Sequence, residues 1–254
     1  MKTAHAILEK LVVDPEFAEY RFPWSETRRH FTMSTASSFF IEVMLNYGQR
    51  AERAWEGAEH FVETHFPEDS IWKDIAAMHL NRLTPICRGG YEGTGYASRF
   101  GFNDFPRYLR ENARVIVDKY DADPRKIWNV TPENVEQIYS RFFQFKGIGQ
   151  ALAKMAQFNL VRSHGVAGGI QSKQYLKAKP DMHVQRVLYR LGLSKSISPS
   201  SAIQCIEEAK VSSQADLDAV LFNVGRKFCH KTNPQCKECI LNTYCKKVLI
   251  TSKR

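Results

Sequence analysis

The stretch Phe228 to Cys245, FCHKTNPQCKECILNTYC, carries four cysteines spaced Cys229-x6-Cys236-x2-Cys239-x5-Cys245. A loop this short cannot build a core of its own, and thiolates bunched so tightly are ordinarily metal ligands. A zinc ribbon would show two separate C-x2-C pairs, and this loop has one. Four thiolates with no ligand histidine at zinc-finger spacing suit a [4Fe-4S] cluster. Two disulfides are the alternative reading.

Around this loop lies an ordinary globular composition. The 254 residues suffice for one large domain or two small ones, and 43% are apolar and 25% charged. The opening MKTAHAILEK lacks the long apolar segment of a secretory signal. No run approaches the ~20 apolar residues of a membrane helix. These features lead us to expect an intracellular protein, in the cytoplasm and associated with the nucleoid if the source is prokaryotic. In that reducing setting clustered cysteines mean metal or redox chemistry. Cys87 and Cys205 stand alone and read as small buried hydrophobes. The formal charge of +9 favours a polyanionic partner, because neutralising phosphates releases counterions. Arg226, Lys227, Lys231, Lys237, Lys246 and Lys247 crowd around the cysteine loop. A solvated rim is the plainer account of that crowd.

The hydrophobic period is helical almost throughout. Leu109, Ala113, Ile116 and Tyr120 form one stripe, and Val184, Val187, Leu188 and Leu191 a second. Leu217, Val220, Leu221 and Val224 form a third, which runs into Cys229. Thr131-Pro132 and Ser198-Pro199 read as helix starts, and Gly192 reads as a stop. No alternating strand pattern appears. Irregular structure is expected over 88–106, rich in Gly and aromatics, and over 163–180, rich in Gly and Lys.

The segment Phe145 to Ala156, FKGIGQALAKMA, follows a helix expected over Pro132–Phe143. Gly147 and Gly149 around Ile148 let the backbone turn so that amides point outward at a new helix start, which is an anion site. The sequence reads as a helix-hairpin-helix, although a tight helix–helix turn would look similar. Thirty-two residues beyond Gly149 comes Asp181-Met182-His183-Val184-Gln185-Arg186-Val187.

Hairpin, D-x-H-V-x-R-V helix and four-cysteine loop, in this order, resemble the endonuclease III and MutY-type adenine glycosylase branch of the helix-hairpin-helix DNA glycosylases. The resemblance runs over about residues 36 to 247. It implies a DNA N-glycosylase of base excision repair that acts on double-stranded DNA with an extruded base, works as a monomer and carries a [4Fe-4S] cluster on Cys229, Cys236, Cys239 and Cys245. Asp181 becomes the catalytic carboxylate. A helix N-terminus favours its ionised form, and an anion beside the sugar stabilises an oxocarbenium-like transition state and orients water. The same position also suits a plain N-cap.

Ile41 to Gln49, IEVMLNYGQ, resembles the stretch in which adenine glycosylases hold the acid that protonates the departing purine, here Glu42. Its apolar neighbours would raise its pKa and suit a general acid. A salt-bridged helix-edge glutamate is the alternative. Gln49 matches the residue that fills the hole left by the extruded base, and Tyr47 could stack or wedge. Lys146, Arg186, Lys227 and Lys237 join the hairpin glycines as candidate DNA contacts, although Arg186 would equally serve to satisfy its neighbours.

One departure bears on mechanism. Ala151 stands where strand-cutting members carry a nucleophilic lysine. The expectation is hydrolytic release of the base, leaving an abasic site. A displaced lysine among Lys173, Lys177 and Lys179, making a bifunctional lyase, is one alternative. A catalytically silent DNA-binding relative is another. The base could be mispaired, oxidised, alkylated or a phage-type modification.

The expected architecture is all-α and two-lobed. A six-helix lobe with the hairpin spans 36–175. A second lobe joins 1–35 to 176–254 and carries the cluster loop over 229–245. The active site is expected in the cleft between them, with Glu42 and Asp181 facing each other across it.

Overall fold

The structure, a computed structural model, describes residues 2–46, 51–90, 96, 104–178 and 181–248. Among them lie eleven α-helices and no strand. In chain order they are α1 (Lys2–Val13), α2 (Met33–Leu45), α3 (Ala51–His65), α4 (Ile71–Ala77), α5 (Leu80–Gly89), α6 (Asp104–Tyr120), α7 (Glu136–Phe143), α8 (Gln150–Phe158), α9 (Met182–Arg190), α10 (Pro199–Ala209) and α11 (Gln214–Lys227). The all-α class read from the sequence is the observed one. None of these helices is long and apolar enough to cross a membrane.

The chain folds as two compact units. One comprises Met1–Trp24 with Gln171–Arg254, and the other is Ser25–Ile170. In the first, the stripes of α9 and α11 meet as the period demands. Val184, Val187, Leu188 and Leu191 pack with Leu217, Val220, Leu221 and Val224, and α1 adds Leu8 and Leu11. Cys205 on α10 belongs to this apolar core. Ser198 caps α10 by accepting from the Ser201 amide, with Pro199 at the first turn.

The second unit is built round α2, whose residues Ala36 to Leu45 are all buried. A helix enclosed on every side has no solvent stripe to show, which is why its sequence is nearly continuously apolar. Phe39 and Phe40 meet a cluster of aromatic rings. Phe40 is edge-on to Trp72 of α4 and to Phe145, and Phe39 is edge-on to Trp128. The Trp72 Nε1 donates to Ser37 Oγ at 2.9 Å, so the one polar edge of that ring is satisfied inside the core. Thr32 and Thr35 form a reciprocal capping box at the start of α2.

The helix expected over Pro132–Phe143 is interrupted. Pro132–Asn134 is a 3-10 turn, and α7 proper starts at Glu136. Between α7 and α8 the chain turns at Phe145 to Gly149, and a residue far away in sequence fixes that turn. Asn112, on α6 and almost wholly buried, accepts from the Lys146 amide at 2.8 Å and donates through Nδ2 to the Lys146 carbonyl at 2.9 Å. One side chain thus occupies both backbone groups of a single residue, as a neighbouring strand would.

Asn112→Ala leaves both Lys146 groups without these partners. We predict a loss of roughly 1–3 kcal/mol in stability, at about 0.5–1.5 kcal/mol for each of the two hydrogen bonds. The measurement is denaturant unfolding; a change under 0.5 kcal/mol would show that the clamp is dispensable.

Candidate active site and cysteine centre

The turn held by Asn112 has the form expected of an anion-binding hairpin. Gly147 adopts φ +79°, where a Cβ is disfavoured. Gly149 is the N-cap of α8 and supplies no side chain to its first amides. Those amides therefore remain free for an external acceptor. Lys146 is exposed beside them.

Ala151 is exposed on the first turn of α8. The side chain of Lys154 is 14% exposed and donates to Glu136 at 2.7 Å and Gln157 at 3.0 Å, over the Tyr139 ring. Lys173 is ion-paired to the buried Asp216, which also accepts from Trp24 Nε1 at 3.0 Å. Lys177 is exposed, and Lys179 lies outside the described residues.

Glu42 lies on α2 and is 5% exposed. Burial pushes its carboxyl up to about 7 from an ordinary value near 4.5. The Asn46 amide and Arg29 offset part of this, while Glu59 adds to it. Asn46 Nδ2 is buried and, among the described residues, completes no hydrogen bond. A carboxyl in this state exchanges its proton near neutrality, as a general acid must. Tyr47 and Gln49, four and six residues beyond Glu42's neighbour Val43, lie outside the described residues.

Asp181 is the N-cap of α9. Its Oδ1 accepts from the amides of His183 at 2.8 Å and Val184 at 2.9 Å, and Oδ2 takes no hydrogen bond among the described residues. The carboxylate is thereby fixed in orientation while one oxygen stays open. Behind it, α9 is pressed against α11 at Gly225, where a Cβ would stand 2.7 Å from His183 Cβ. Burial lowers the pKa of His183, and its Nδ1 lies 2.9 Å from an Arg186 Nη2 donor, so the ring accepts as neutral imidazole.

Arg186 serves the interior rather than a surface. It is 7% exposed and donates to the carbonyls of Cys229 and, at 3.1 Å, Gly225. Sequence reasoning placed it among candidate DNA contacts, yet its guanidinium ties α9 to the entry of the cysteine loop. Lys227 and Lys237 are exposed, and Lys227 lies over the rings of Tyr20 and Phe228.

The four cysteines are all free thiols, and they line one cavity of about 280 Å³ together with Arg190, Lys247 and Asn242. Arg190 Nη1 donates to Cys229 Sγ at 3.3 Å, and the Lys247 amide donates to Cys245 Sγ at 3.4 Å. Burial pushes the Cys239 and Cys245 thiols up, and the charges of Cys229 and Cys236 add to this in both. Asn242 Oδ1 on the same cavity is buried and without a partner. Among the described residues no three His, Cys, Asp or Glu converge on a single-ion position.

No protein-family profile matches the chain. The endonuclease III of Thermotoga maritima is 22% identical over 136 residues, a match that spans 53% of this chain and 53% of that protein. A solved thermostable thymine-DNA glycosylase aligns over 97% of this chain and 96% of its own, with 15% identity and a TM-score of 0.56. A Helicobacter pylori 3-methyladenine DNA glycosylase aligns over 87% and 94%, with 15% identity and a TM-score of 0.46. The fold of this chain is that of the helix-hairpin-helix DNA glycosylases.

Proposed function

We propose that the chain is a monofunctional DNA glycosylase, which hydrolyses the N-glycosidic bond of an extruded base in duplex DNA and leaves an abasic site. The observation that carries the reading is Asp181: an oriented carboxylate with one open oxygen, preceded in the chain by an anion-binding hairpin that has alanine in place of the strand-cutting lysine.

In this reading the hairpin amides and Lys146 hold a backbone phosphate. Lys227 and Lys237 add cationic contacts, Gln49 fills the hole left by the base, and Tyr47 stacks on a base or wedges the duplex. Protonated Glu42 gives its proton to the departing base as the C–N electron pair leaves with that base. The open oxygen of Asp181 stabilises the positive sugar and takes a proton from the water that adds to it. No covalent protein–sugar bond forms. Asp181→Asn should abolish base release while duplex affinity stays within about threefold, on the order of 0.7 kcal/mol. Mass spectrometry of released bases and fluorescence anisotropy measure the two, and borohydride should trap no adduct with the wild type. Efficient trapping, or loss of binding with loss of release, would overturn the assignment.

Glu42 gives a pH prediction with a definite sign. Its folded pKa lies above its unfolded one, so the protonated form stabilises the fold at low pH and that advantage disappears as pH rises towards about 7. Base release should fall above that pH, since the acid is then ionised. Glu42→Gln should raise the melting temperature at pH 8, change it little at pH 5, and suppress release at both. Equal thermal effects at the two values would mean that Glu42 is not titrating in this range.

Cys229, Cys236, Cys239 and Cys245 fit a [4Fe-4S] cluster, because four free thiols from one short loop line a single cavity of about 280 Å³. The cluster, when bound, supplies a covalent cross-brace to the loop. Protein purified anaerobically should contain iron and acid-labile sulfide in equal amounts, both reduced in Cys239→Ser. Stoichiometric zinc without sulfide would contradict the cluster.

A further inference from the structure

A second cationic site lies in the Ser25–Ile170 unit. A cavity of about 390 Å³ is lined by Arg28, Arg29 and His30 from the segment entering α2, and by Asp123, Arg125 and Lys126 from the turn after α6. From the α2 cap at Thr32 to Glu42 is ten residues, roughly 15 Å along the helix axis. One lining cation, Arg29, also acts on the buried acid and helps hold its carboxyl down.

The cations around it are not equivalent. Arg125 is committed, with Nε and Nη2 on Asp123 at 2.8 and 2.9 Å. Lys126 is paired with Asp121 at 2.6 Å. Arg29 lies over the rings of Phe31 and Trp55, at 5.3 and 5.5 Å. Arg28 and His30 are exposed and, among the described residues, form no hydrogen bond or ion pair, and neither does the lining residue Asn129. Four permanent cations thus face one carboxylate, and that carboxylate is already occupied by Arg125.

These side chains stand on a segment that is held down. The Ser25 amide donates to the Arg162 carbonyl at 2.7 Å, and the Arg29 amide to the His164 carbonyl at 2.8 Å. Directly after His164, Gly165 has φ +63°, and a Cβ there would be 2.5 Å from the Thr27 carbonyl oxygen. The positive end of α2 starts at the next residue after Phe31 and adds to the field. Pre-positioned guanidinium groups with unfilled donors, beside a helix N-terminus, match the tetrahedral oxygens of a phosphate.

We infer that the cavity between Arg28–His30 and Arg125–Asn129 binds a phosphate group, supplied by the DNA strand. Only the source of the phosphate rests on the DNA glycosylase reading. The test compares the wild type with Arg28→Ala/His30→Ala; both positions are exposed, so the variant should fold. Anisotropy with an undamaged duplex is followed across a salt series, and melting temperature is followed with and without inorganic pyrophosphate. The variant should bind duplex roughly tenfold more weakly, with the slope of log affinity against log salt reduced by about one. Arg28→Lys/His30→Ala should recover part of the affinity. Pyrophosphate protection lost in the variant, with duplex binding unchanged, would keep the phosphate site and assign it to a free phosphate ester. Equal duplex affinity together with equal pyrophosphate shifts in both proteins would overturn the inference. Base release is not read, so failure of the glycosylase assignment would leave this result standing.

Discussion

Complete enclosure of α2 is the constraint on which the Ser25–Ile170 unit depends. Ten consecutive residues lose contact with water, and nine of them are apolar or small. The tenth is a glutamate. A carboxyl at a helix edge would be solvated and ionised at neutral pH, whereas the same carboxyl inside this helix pays for its charge in lost hydration. Its proton affinity is thus set by the packing of Phe39, Phe40 and their ring neighbours as much as by groups that touch it. The unfilled Asn46 amide shows how little polar compensation the site contains.

The other unit solves a different problem, holding a carboxylate in one orientation. Two backbone amides fix one oxygen of Asp181, and the helix behind it is fixed in turn. Arg186 and Arg190, both on α9 and both buried, reach the carbonyls of Cys229, His230 and Lys231. The helix that carries Asp181 and the loop that carries the thiols are therefore joined by guanidinium groups and not only by shared apolar surface. Arginine suits this because a fork can satisfy several carbonyls at once, which a lysine cannot do.

Much of this was legible in the sequence because it is local. The stripes on α6, α9 and α11 are buried as the 3.6-residue period requires, and Gly192 turns left-handed to end α9. The thiols share one cavity because fewer than twenty residues separate them. What escaped the sequence is long-range. Asn112 reads as one polar residue in an amphipathic helix, and nothing in its neighbourhood announces a partner thirty-four positions away. His164, whose pKa burial and Arg29 lower to about 4, is concealed for the same reason. Arg186 reads as a candidate DNA contact from its charge and as a partner for its neighbours from its helix, and only tertiary structure shows which carbonyls it meets. The 3-10 entry at Pro132 reflects a start signal read correctly but a helix begun too early.

The Asn112 clamp also sets where the chain can accept insertions. Between α6 and α7 the backbone runs through turns, where an added residue changes a loop and leaves Asn112 and Lys146 opposed. Within α6, one added residue before position 112 swings every later side chain by about 100° around the axis. The carboxamide would then leave the hairpin and an apolar or charged neighbour would take its place. Length variation among relatives of this chain should therefore collect in the turn after Tyr120, while the helix before it keeps an exact count.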